Sequence, residues 1–311
     1  MQKDSLLVVG SIAFDDLEMP SGTFDNVLGG AATYSAFAAS LLGPVRLVGV
    51  VGTDFEESHL GSLRARGVDT SGVERVQGKT FRWRGRYSED LNSRVSLDTQ
   101  LNVFADFRPK IPAAYKASPY VLLGNIHPAL QCEVLDQVER PRLVAADTMN
   151  FWISGEAAAL ATLLKRVDLL MVNDEEAREL SGIQNLSKAA ADIRKRGPSK
   201  LIIKRGEHGA LLFDDQGVFY VPAYPLDEVH DPTGAGDTFA GGLMGYVARC
   251  GGKDASPHLL RKAMFFASAL ASFCVEAVGT KRVAEVKEAD LAKRLEQFRA
   301  LVDYGGNLAL D

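Results

Sequence analysis

Residues 231–242 read Asp-Pro-Thr-Gly-Ala-Gly-Asp-Thr-Phe-Ala-Gly-Gly and combine groups that can do phosphoryl chemistry. Gly234 and Gly236 come just before the carboxylate of Asp237, and an apolar run that favours a helix follows. Glycines that enter a helix leave several backbone N–H groups unpaired, and the helix dipole adds partial positive charge, so an anion can bind there. A carboxylate beside that anion can take a proton from a hydroxyl that attacks a phosphoryl group.

The same stretch also has an ordinary structural interpretation. Gly, Pro and Asp are the usual residues of turns and helix N-caps, so the segment can be a turn followed by a capped helix. Short glycine motifs often occur without a function. The choice between the two interpretations therefore depends on the rest of the chain.

Composition sets broad limits on the class of protein. The chain has 311 residues, of which 46% are hydrophobic and 24% are charged, as in an ordinary soluble globular protein. Its formal net charge of -5 argues against a nucleic-acid partner. No apolar run approaches the length of a membrane span, and the short run Leu6–Val9 is too brief for a secretory signal. We therefore expect a cytoplasmic protein with neither a membrane nor a nucleic-acid partner.

The cysteines fit that expectation. Cys132, Cys250 and Cys274 are odd in number and far apart in sequence. Their spacing predicts neither a disulfide framework nor a metal site, and we expect buried free thiols.

The elements that position these groups follow an alternating pattern. Short apolar runs alternate with helical segments, and runs of this kind, buried on both faces, are typical of a central parallel sheet. Helices are predicted over residues 31–42, from Asp54 to Gly67, and over 257–278 and 289–302 near the end of the chain. The predicted strands are residues 6–9, 45–51, 120–123, 143–146, 169–172 and 201–203.

Residues 79–107 interrupt this pattern. Residues 81–87 alternate strictly, with arginines on one face and mainly aromatic residues on the other, as in a β-strand. Residues 93–97 and 101–105 are predicted as further strands, which gives a small antiparallel sheet inserted in the α/β body. The arginine face, formed by Arg82, Arg84 and Arg86, can be solvated or can face an anionic ligand.

Two motifs together resemble those of the ribokinase-like, or PfkB-type, carbohydrate kinases. Residues 29–43, Gly-Gly-Ala-Ala-Thr-Tyr-Ser-Ala-Phe-Ala-Ala-Ser-Leu-Leu-Gly, resemble the N-terminal signature, and residues 231–242 resemble the C-terminal one. The resemblance implies an αβα sandwich with a central, mostly parallel sheet and a small β-sheet lid. It implies a single domain over residues 1–311, with the lid from about 13–28 and 79–108. It also implies a phosphotransferase that moves the γ-phosphoryl group of ATP to an alcohol, with Mg²⁺.

The resemblance assigns the catalytic roles to one segment. Asp237 matches the general base, and Gly234, Ala235 and Gly236 match the backbone anion hole. Phosphoryl transfer depends mainly on positioning and on charge stabilisation, which fixed backbone amides provide. No Gly-x-x-x-x-Gly-Lys-[Ser/Thr] sequence is present, so a P-loop kinase is not supported.

Two further segments are implied to bind the nucleotide. Asn173 and Glu176 match the Asn-x-x-Glu element near the phosphates and magnesium, although acids in a first helical turn are also an ordinary feature. Lys204, Gly206 and Gly209 resemble the turn at a strand end that passes the nucleotide. The carboxyl end of a strand is where an open α/β sheet binds ligands.

The acceptor site is less well defined. Asp15 matches the carboxylate that accepts hydrogen bonds from substrate hydroxyls, although it can also be an ordinary turn acid. The resemblance places Gly29, Gly30 and Tyr34 in the same site. Ala13 and Tyr34 stand where ribokinases usually have Asn, which weakens the expectation of a ribose site. Tyr34 can instead stack on a ring or donate a hydrogen bond, as a nucleoside would require.

Several other residues have more than one possible role. The resemblance leaves a monovalent cation (K⁺) site at Asp231 open, beside the anion hole, as well as a homodimer through the lid. His127, Asp147 and Asn150 follow strands and can lie at the ligand edge, although a lone His is more often structural.

We therefore predict an ATP-dependent kinase that phosphorylates a hydroxyl of a small sugar. A nucleoside kinase or sugar-phosphate kinase of the same fold is the alternative, and a non-catalytic sugar- or nucleotide-binding regulator is disfavoured by the intact Asp237. A dinucleotide-dependent oxidoreductase is not supported, because the first predicted strand, residues 6–9, is followed by Gly10-Ser11-Ile12 and no Gly-x-Gly-x-x-Gly motif begins there.

Overall fold

The computed structural model describes residues 4–251 and 257–303. Apolar runs form strands and amphipathic or small-residue segments form helices, as their periodicity requires. The strands are β1 (Leu6–Val9), β2 (Ala13–Met19), β3 (Gly22–Gly29), β4 (Val45–Val51), β5 (Val68–Arg75), β6 (Phe81–Tyr87), β7 (Arg94–Gln100), β8 (Tyr120–Leu123), β9 (Leu143–Asp147), β10 (Leu169–Asn173), β11 (Lys200–Lys204), β12 (Ala210–Asp214) and β13 (Gly217–Val221). The helices are α1 (Ala31–Ser40), α2 (Glu57–Ala65), α3 (Pro128–Leu135), α4 (Asn150–Gly155), α5 (Ala157–Leu164), α6 (Asp174–Ser181), α7 (Leu186–Lys195), α8 (Ala235–Cys250), α9 (Pro257–Cys274), α10 (Lys281–Glu285) and α11 (Glu288–Val302).

Nine of the described strands form the main sheet, in the order β13-β12-β11-β10-β9-β8-β1-β4-β5. Neighbours from β5 to β11 pair in parallel, and β12 and β13 add an antiparallel hairpin at one edge. The six strands predicted from apolar runs all belong to this sheet, which confirms the predicted α/β class.

Each face of the main sheet has its own core. Leu6 and Val8 belong to one core together with residues of α1, α8 and α9, whereas Leu7 and Val9 belong to the other with residues of α3, α5 and α7. Successive residues of β1 therefore point into different cores, which is why the whole strand is apolar. The result is the predicted αβα sandwich.

A second sheet has four strands in the order β3-β2-β6-β7. We call it the small sheet. It is mixed rather than purely antiparallel, because β2 and β6 pair in parallel while β2–β3 and β6–β7 are antiparallel. The predicted strand at residues 101–105 is wrong. That segment forms a 3₁₀ turn (Asn102–Phe104), which allows Phe104 to stack on Phe81 and Phe107 with ring centroids 5.2 and 5.6 Å apart.

Two other predictions need correction. The helix predicted over 257–278 ends at Cys274, because the Val275 carbonyl accepts a hydrogen bond from the His230 N–H (2.8 Å). The cysteines are free thiols, but only Cys274 is buried, while Cys132 is half-buried and Cys250 is exposed. Across residues 4–251 and 257–303, every helix is too short or too polar to cross a bilayer.

Candidate active site

The carboxyl ends of three neighbouring strands bring charged side chains together. Asp147 ends β9, Asn173 ends β10 and Lys204 ends β11. The strand register places Met171 beside Asp147, and Asn173 beside Lys204. Parallel strands have their carboxyl ends at one edge of the sheet, and this is the edge where open α/β sheets bind ligands.

Helix α8 begins at the same site. Gly234 precedes it in the left-handed conformation (φ 74°), and Asp237 lies in its first turn. The Ala235 N–H is already bonded to the Pro232 carbonyl (3.2 Å), so its amide belongs to the turn. In the described part of the chain, the N–H groups of Gly236 and Asp237 have no hydrogen-bond partner. The Gly234 N–H is likewise unpaired among the described residues, so two of the three amides predicted for the anion hole, those of Gly234 and Gly236, are free, Asp237 adds another, and Ala235 does not contribute a free one.

A buried lysine lies against this helix start. The Lys204 Nζ donates to the Asp147 Oδ2 (2.7 Å), and only 16% and 7% of these side chains are exposed. A methyl group on Gly236 would lie 3.1 Å from the Lys204 Nζ, so the ammonium group and the first turn of α8 are in contact distance. Burial disfavours the Lys204 charge, but Asp147 and Glu176 outweigh it and raise the pKa of Lys204. The ammonium group therefore stays charged beside the unpaired amides.

The pKa of Asp237 is raised to about 7 by burial and by the negative charge of Asp147, while Lys204 and Arg94 oppose the shift. A carboxylate with a pKa near neutrality can accept a proton and remain reactive at physiological pH. The Ser35 Oγ donates to the Asp237 carbonyl oxygen (2.9 Å) and fixes the backbone at this residue.

Asn173 and Glu176 form a reciprocal cap at the start of α6. The Asn173 N–H donates to the Glu176 Oε2, and the Glu176 N–H donates to the Asn173 Oδ1, both at 2.7 Å. Burial and Asp147 raise the pKa of Glu176 to about 7. The two residues therefore cap a helix, and Glu176 also adds a buried carboxyl beside Lys204.

Asp15 reaches the site from the small sheet. Its carboxylate occupies the space where Gly29 has no side chain, since a Cβ there would lie 1.9 Å from the Asp15 Oδ2. Burial, Asp231 and Asp237 raise the pKa of Asp15 to about 8. The carboxylates predicted for the acceptor and for catalysis are therefore brought together, although they are 222 residues apart in sequence. Gly30 (φ 93°) forms the cap between β3 and α1.

Tyr34 differs from its predicted role. Its ring lies against Gly234 and only 1% of the residue is exposed, so it offers no face for a ligand to stack on. The hydroxyl is buried and has no hydrogen-bond partner in the described residues. Asp15 and Asp231 lie near enough to add to the rise in its pKa that burial causes. Tyr34 therefore packs against Gly234 and supports the loop that precedes α8.

The small sheet contacts the loop before α8 through Tyr87. The hydroxyls of Tyr87 and Thr233 are hydrogen-bonded at 2.8 Å. Asp231 holds the same loop, because its carboxylate accepts bonds from the N–H groups of Thr233 and Gly279, both at 2.8 Å. Both oxygens of the predicted cation ligand Asp231 thus already bind the backbone.

The arginine face of β6 points away from the site. Arg82 pairs with Asp16, and both Arg84 and Arg86 pair with Glu18. Because Asp16 and Glu18 alternate with Asp15 along β2, they lie on the opposite face of the sheet. These arginines therefore form ion pairs on the outer face of their own sheet, as expected of a solvated face, and this geometry does not favour their contact with an anionic ligand in the site.

The remaining predicted positions have local structural roles. Gly206 begins a 3₁₀ turn (Gly206–His208) after β11, and Gly209, which follows the turn, is packed against the backbone of Val221. The Nδ1 of His127 accepts a hydrogen bond from the Ala129 N–H (3.0 Å), so this residue caps α3. Asp147 is the partner of Lys204.

Sequence reasoning missed two residues of the site. Ser35 lies one residue after Tyr34, and nothing in its type or spacing indicates a bond to residue 237. Arg94 begins β7 opposite Tyr87, and its charge lowers the pKa of Asp15, Glu176 and Asp237. Only the pairing of β6 with β7 places Arg94 over the site, and that pairing is not visible in the sequence.

Magnesium fits this set of donors. Across the described ranges, no group of three or more His, Cys, Asp or Glu side chains forms a metal cage. Mg²⁺ usually keeps several waters and binds through one or two carboxylates together with substrate phosphates. Glu176 can supply such a carboxylate: burial and Asp147 raise its pKa, and a bound cation would favour the ionised form and lower that pKa again.

Comparisons with known proteins agree with this geometry. The model of the pfkB family of carbohydrate kinases matches residues 3–287. A cytidine kinase of Thermococcus kodakarensis is 32% identical over 251 residues, covering 78% of this chain and 88% of that protein. A nucleoside kinase of Methanothermobacter thermautotrophicus is 29% identical over 319 residues, covering 96% and 97%. The solved aminoimidazole riboside kinase of Salmonella enterica, in complex with aminoimidazole riboside and an ATP analogue, superposes with a TM-score of 0.72 at 23% identity, covering 94% of this chain and 100% of that one.

Proposed function

Because this chain belongs to the pfkB family of carbohydrate kinases, and is thus a phosphotransferase with an alcohol acceptor, we propose that it transfers the γ-phosphoryl group of ATP to a ribose hydroxyl of a nucleoside. One observation carries the proposal. Asp15 packs on Gly29 just before α1, and Ser35 of α1 donates to the Asp237 carbonyl oxygen (2.9 Å), so one helix connects the two carboxylates, and Asp237 contributes to the raised pKa of Asp15. A hydroxyl held by Asp15 is therefore presented to a base beside an anion site.

The walls of the acceptor site favour a nucleoside over a free sugar. The face of the small sheet that carries Asp15 also carries an apolar and aromatic cluster that includes Trp83, Tyr87 and Val27. A base requires such a wall, because aromatic and apolar surfaces hold a planar ring. A free sugar requires polar partners, and neither Ala13 nor the buried Tyr34 supplies an amide. The cytidine and nucleoside kinases among the relatives support the same choice.

In the proposed reaction, Asp237 takes the proton of the ribose hydroxyl as its oxygen bonds to the γ-phosphorus and the bond to the β-phosphate oxygen breaks. ADP leaves, and the proton remains on the Asp237 carboxyl until solvent removes it. The N–H groups of Gly236 and Asp237, together with the Lys204 ammonium group, stabilise the negative charge on the phosphoryl oxygens. Fixed donors of this kind require little reorganisation.

Asp15 orients the acceptor. Its pKa of about 8 means that the carboxyl is largely protonated in the free protein at neutral pH. It can then donate a hydrogen bond to a ribose oxygen as well as accept one, and a hydroxyl bound in this way has a fixed direction toward Asp237.

Glu176 and Asn173 would hold the magnesium ion and its waters. The ion supplies positive charge to the triphosphate when it is bound. Lys204 complements it from the main sheet. A monovalent cation near Asp231 and a homodimer through the small sheet both stay predictions.

A phosphate-transfer assay with ATP and Mg²⁺ tests the proposal. Cytidine, uridine, adenosine, inosine, ribose, fructose and fructose 6-phosphate are compared as acceptors. We expect kcat/KM for at least one nucleoside to exceed that for ribose by about 100-fold or more, because a buried base adds several kcal/mol of binding. Equal or better turnover of ribose or fructose would refute the nucleoside assignment, and no transfer to any acceptor would favour a binding protein.

The Asp237→Asn variant tests the base. We expect a loss of about 10²–10⁴ in kcat, the usual contribution of proton transfer to a positioned side chain, with ADP binding retained. Asp227→Asn is the matched control, since Asp227 is exposed and lies outside the site. Activity of Asp237→Asn within tenfold of the wild type would show that another group acts as the base.

A further inference from the structure

The small sheet carries four arginines, and Arg94 differs from the others. Arg82, Arg84 and Arg86 form ion pairs on the outer face of the sheet. Arg94 is exposed, and within the described ranges no carboxylate or hydrogen-bond acceptor is recorded as its partner. An arginine without a partner beside several carboxylates indicates a group that is kept available for a ligand.

Strand pairing places Arg94 on the side of the site. Arg94 is directly opposite Tyr87 in the antiparallel pair of β6 and β7. Residues directly opposite each other in such a pair have their side chains on the same face. The Tyr87 hydroxyl reaches Thr233 in the loop before α8, so the Arg94 side chain projects toward that loop as well.

The position of Arg94 can be narrowed further from the groups that its charge affects. It lowers the pKa of Asp15 on β2, of Tyr87 on β6, of Glu176 on α6 and of Asp237 on α8. These four groups surround the site from different sides. Together with the strand pairing, this indicates that the guanidinium group lies on the face of the small sheet that is turned toward the site.

The charges around the site indicate what Arg94 contributes to it. Asp15, Asp147, Glu176 and Asp237 are carboxyl groups, whereas Lys204 is the buried cation beside them. Lys204 pairs with Asp147, so Glu176 and Asp237 have no buried cation of their own even while Asp15 is protonated, and a polyphosphate that enters this site meets more negative than positive charge. An exposed guanidinium can correct that imbalance, and its planar fork of N–H donors matches the oxygens of a phosphoryl group.

We propose that Arg94 contacts the transferring phosphoryl group and stabilises it in the transition state, opposite the amides of Gly236 and Asp237. The small sheet then supplies a catalytic cation as well as an acceptor wall. This inference rests on the proposed phosphoryl transfer, but it does not depend on which nucleoside is the acceptor.

The test compares Arg94→Gln and Arg94→Lys with Arg86→Gln. Arg86 is the matched control, because it lies on the neighbouring strand of the same sheet and faces outward. All variants are assayed with the acceptor that the wild-type protein phosphorylates best. Failure of the nucleoside assignment would therefore change the acceptor that is used and leave the Arg94 comparison intact.

We expect Arg94→Gln to lower kcat about 100-fold or more, with KM for the acceptor changed less than fivefold; an arginine that stabilises a transferring phosphoryl group contributes 10³–10⁵ in other enzymes. Arg94→Lys is expected to recover part of the loss, since it keeps the charge but not the fork. Arg86→Gln is expected to stay within threefold of the wild type.

Binding of ADP with aluminium fluoride, which mimics the planar transferring phosphoryl group, gives a readout other than turnover. We expect Arg94→Gln to weaken that complex at least tenfold while the affinity for ADP alone is unchanged. Three results would overturn the proposal: kcat of Arg94→Gln within threefold of the wild type, an effect confined to KM for the acceptor, or equal binding of the aluminium fluoride complex.

Discussion

A methyl group at Gly234 is expected to damage both catalysis and folding. Gly234 has a φ of 74°, and a Cβ built on it would lie 2.4 Å from the Cγ and Cδ2 atoms of Tyr34, and 2.5 Å from Cδ1. Ordinary contacts to a Cβ begin at 3.4 Å, so the loop or the ring must move by about 1 Å. Tyr34 is fully buried and cannot move freely, and the displacement therefore falls mainly on the loop.

The loss of folding stability in Gly234→Ala has two causes. The left-handed backbone costs a residue with a Cβ about 1–2 kcal/mol, and overpacking against a buried ring adds about 1–3 kcal/mol. The Gly234→Ala protein is thus expected to lose about 2–5 kcal/mol of stability. A shift of about 1 Å at the amides of Gly236 and Asp237 is expected to lower kcat about 100-fold, because catalytic groups tolerate little displacement.

Substitutions at two other glycines separate the backbone cost from the steric cost. Gly182 also has a positive φ (71°), but a Cβ there meets nothing within 4 Å, so Gly182→Ala isolates the backbone cost. Gly61 lies in α2 with open space and no positive φ, and Gly61→Ala is expected to be neutral or stabilising by up to about 1 kcal/mol. Neither residue belongs to the site.

Denaturant unfolding and steady-state kinetics, measured on the same samples, distinguish a loss of stability from a loss of catalytic positioning. We expect Gly182→Ala to lose stability with normal kcat, and Gly234→Ala to lose both. If Gly234→Ala kept kcat within threefold of the wild type, the loop would not position the phosphoryl group and the reasoning from Tyr34 would fail. A loss of kcat in Gly182→Ala of similar size would show that stability alone explains the effect.

Two predictions concern pH. Since Asp237 must be ionised to accept a proton and its pKa is raised to about 7, kcat/KM is expected to fall roughly tenfold per pH unit below about 7; a profile that stays flat down to pH 5.5 would contradict the assignment. The Asp15 pKa is raised from 3.8 to about 8, so the unfolded chain binds fewer protons than the folded protein between these values, and the free energy of unfolding is expected to decrease as pH rises across that window. Asp15→Asn removes this contribution, and urea unfolding of both proteins at pH 5 and pH 8 should show a smaller decrease in the variant.

The main sheet could be predicted from the sequence because its signals are local. Leu6–Val9 and the other apolar runs consist almost entirely of residues that can be buried on both faces, with Arg46 as an exception, and glycine or a polar residue ends several of them. The reactive groups at the strand ends, such as Asn173 and Lys204, follow from the same pattern. Their meeting at one edge is a property of every parallel sheet.

The small sheet could be predicted only in outline. Alternation in residues 81–87 separates two faces but does not say which face is turned toward the site. That choice depends on Asp16 and Glu18, which pair with the arginines only because β2 and β6 are neighbours. Residues 101–105 are rich in apolar residues, which predicts a strand, but the stacking of Phe104 between Phe81 and Phe107 favours a tight turn.

Tyr34 and Arg94 show what a sequence leaves open at a site. An aromatic residue in a binding motif can face the ligand or support the loop that holds it, and only packing against Gly234 decides between the two. An arginine near the start of an edge strand has no sequence signal for its direction. Its side is fixed by the residue opposite it, Tyr87.

The hydrogen bond between Tyr87 and Thr233 joins the small sheet to the loop before α8. The small sheet, formed by residues 13–29 and 81–100, provides the acceptor wall, whereas the strand ends of the main sheet and the start of α8 provide the phosphate edge. A second contact from the small sheet is the packing of Val27 against Gly279. Acceptor preference can therefore diverge by substitutions in the small sheet while the phosphoryl-transfer machinery is inherited unchanged, as long as these two contacts are kept.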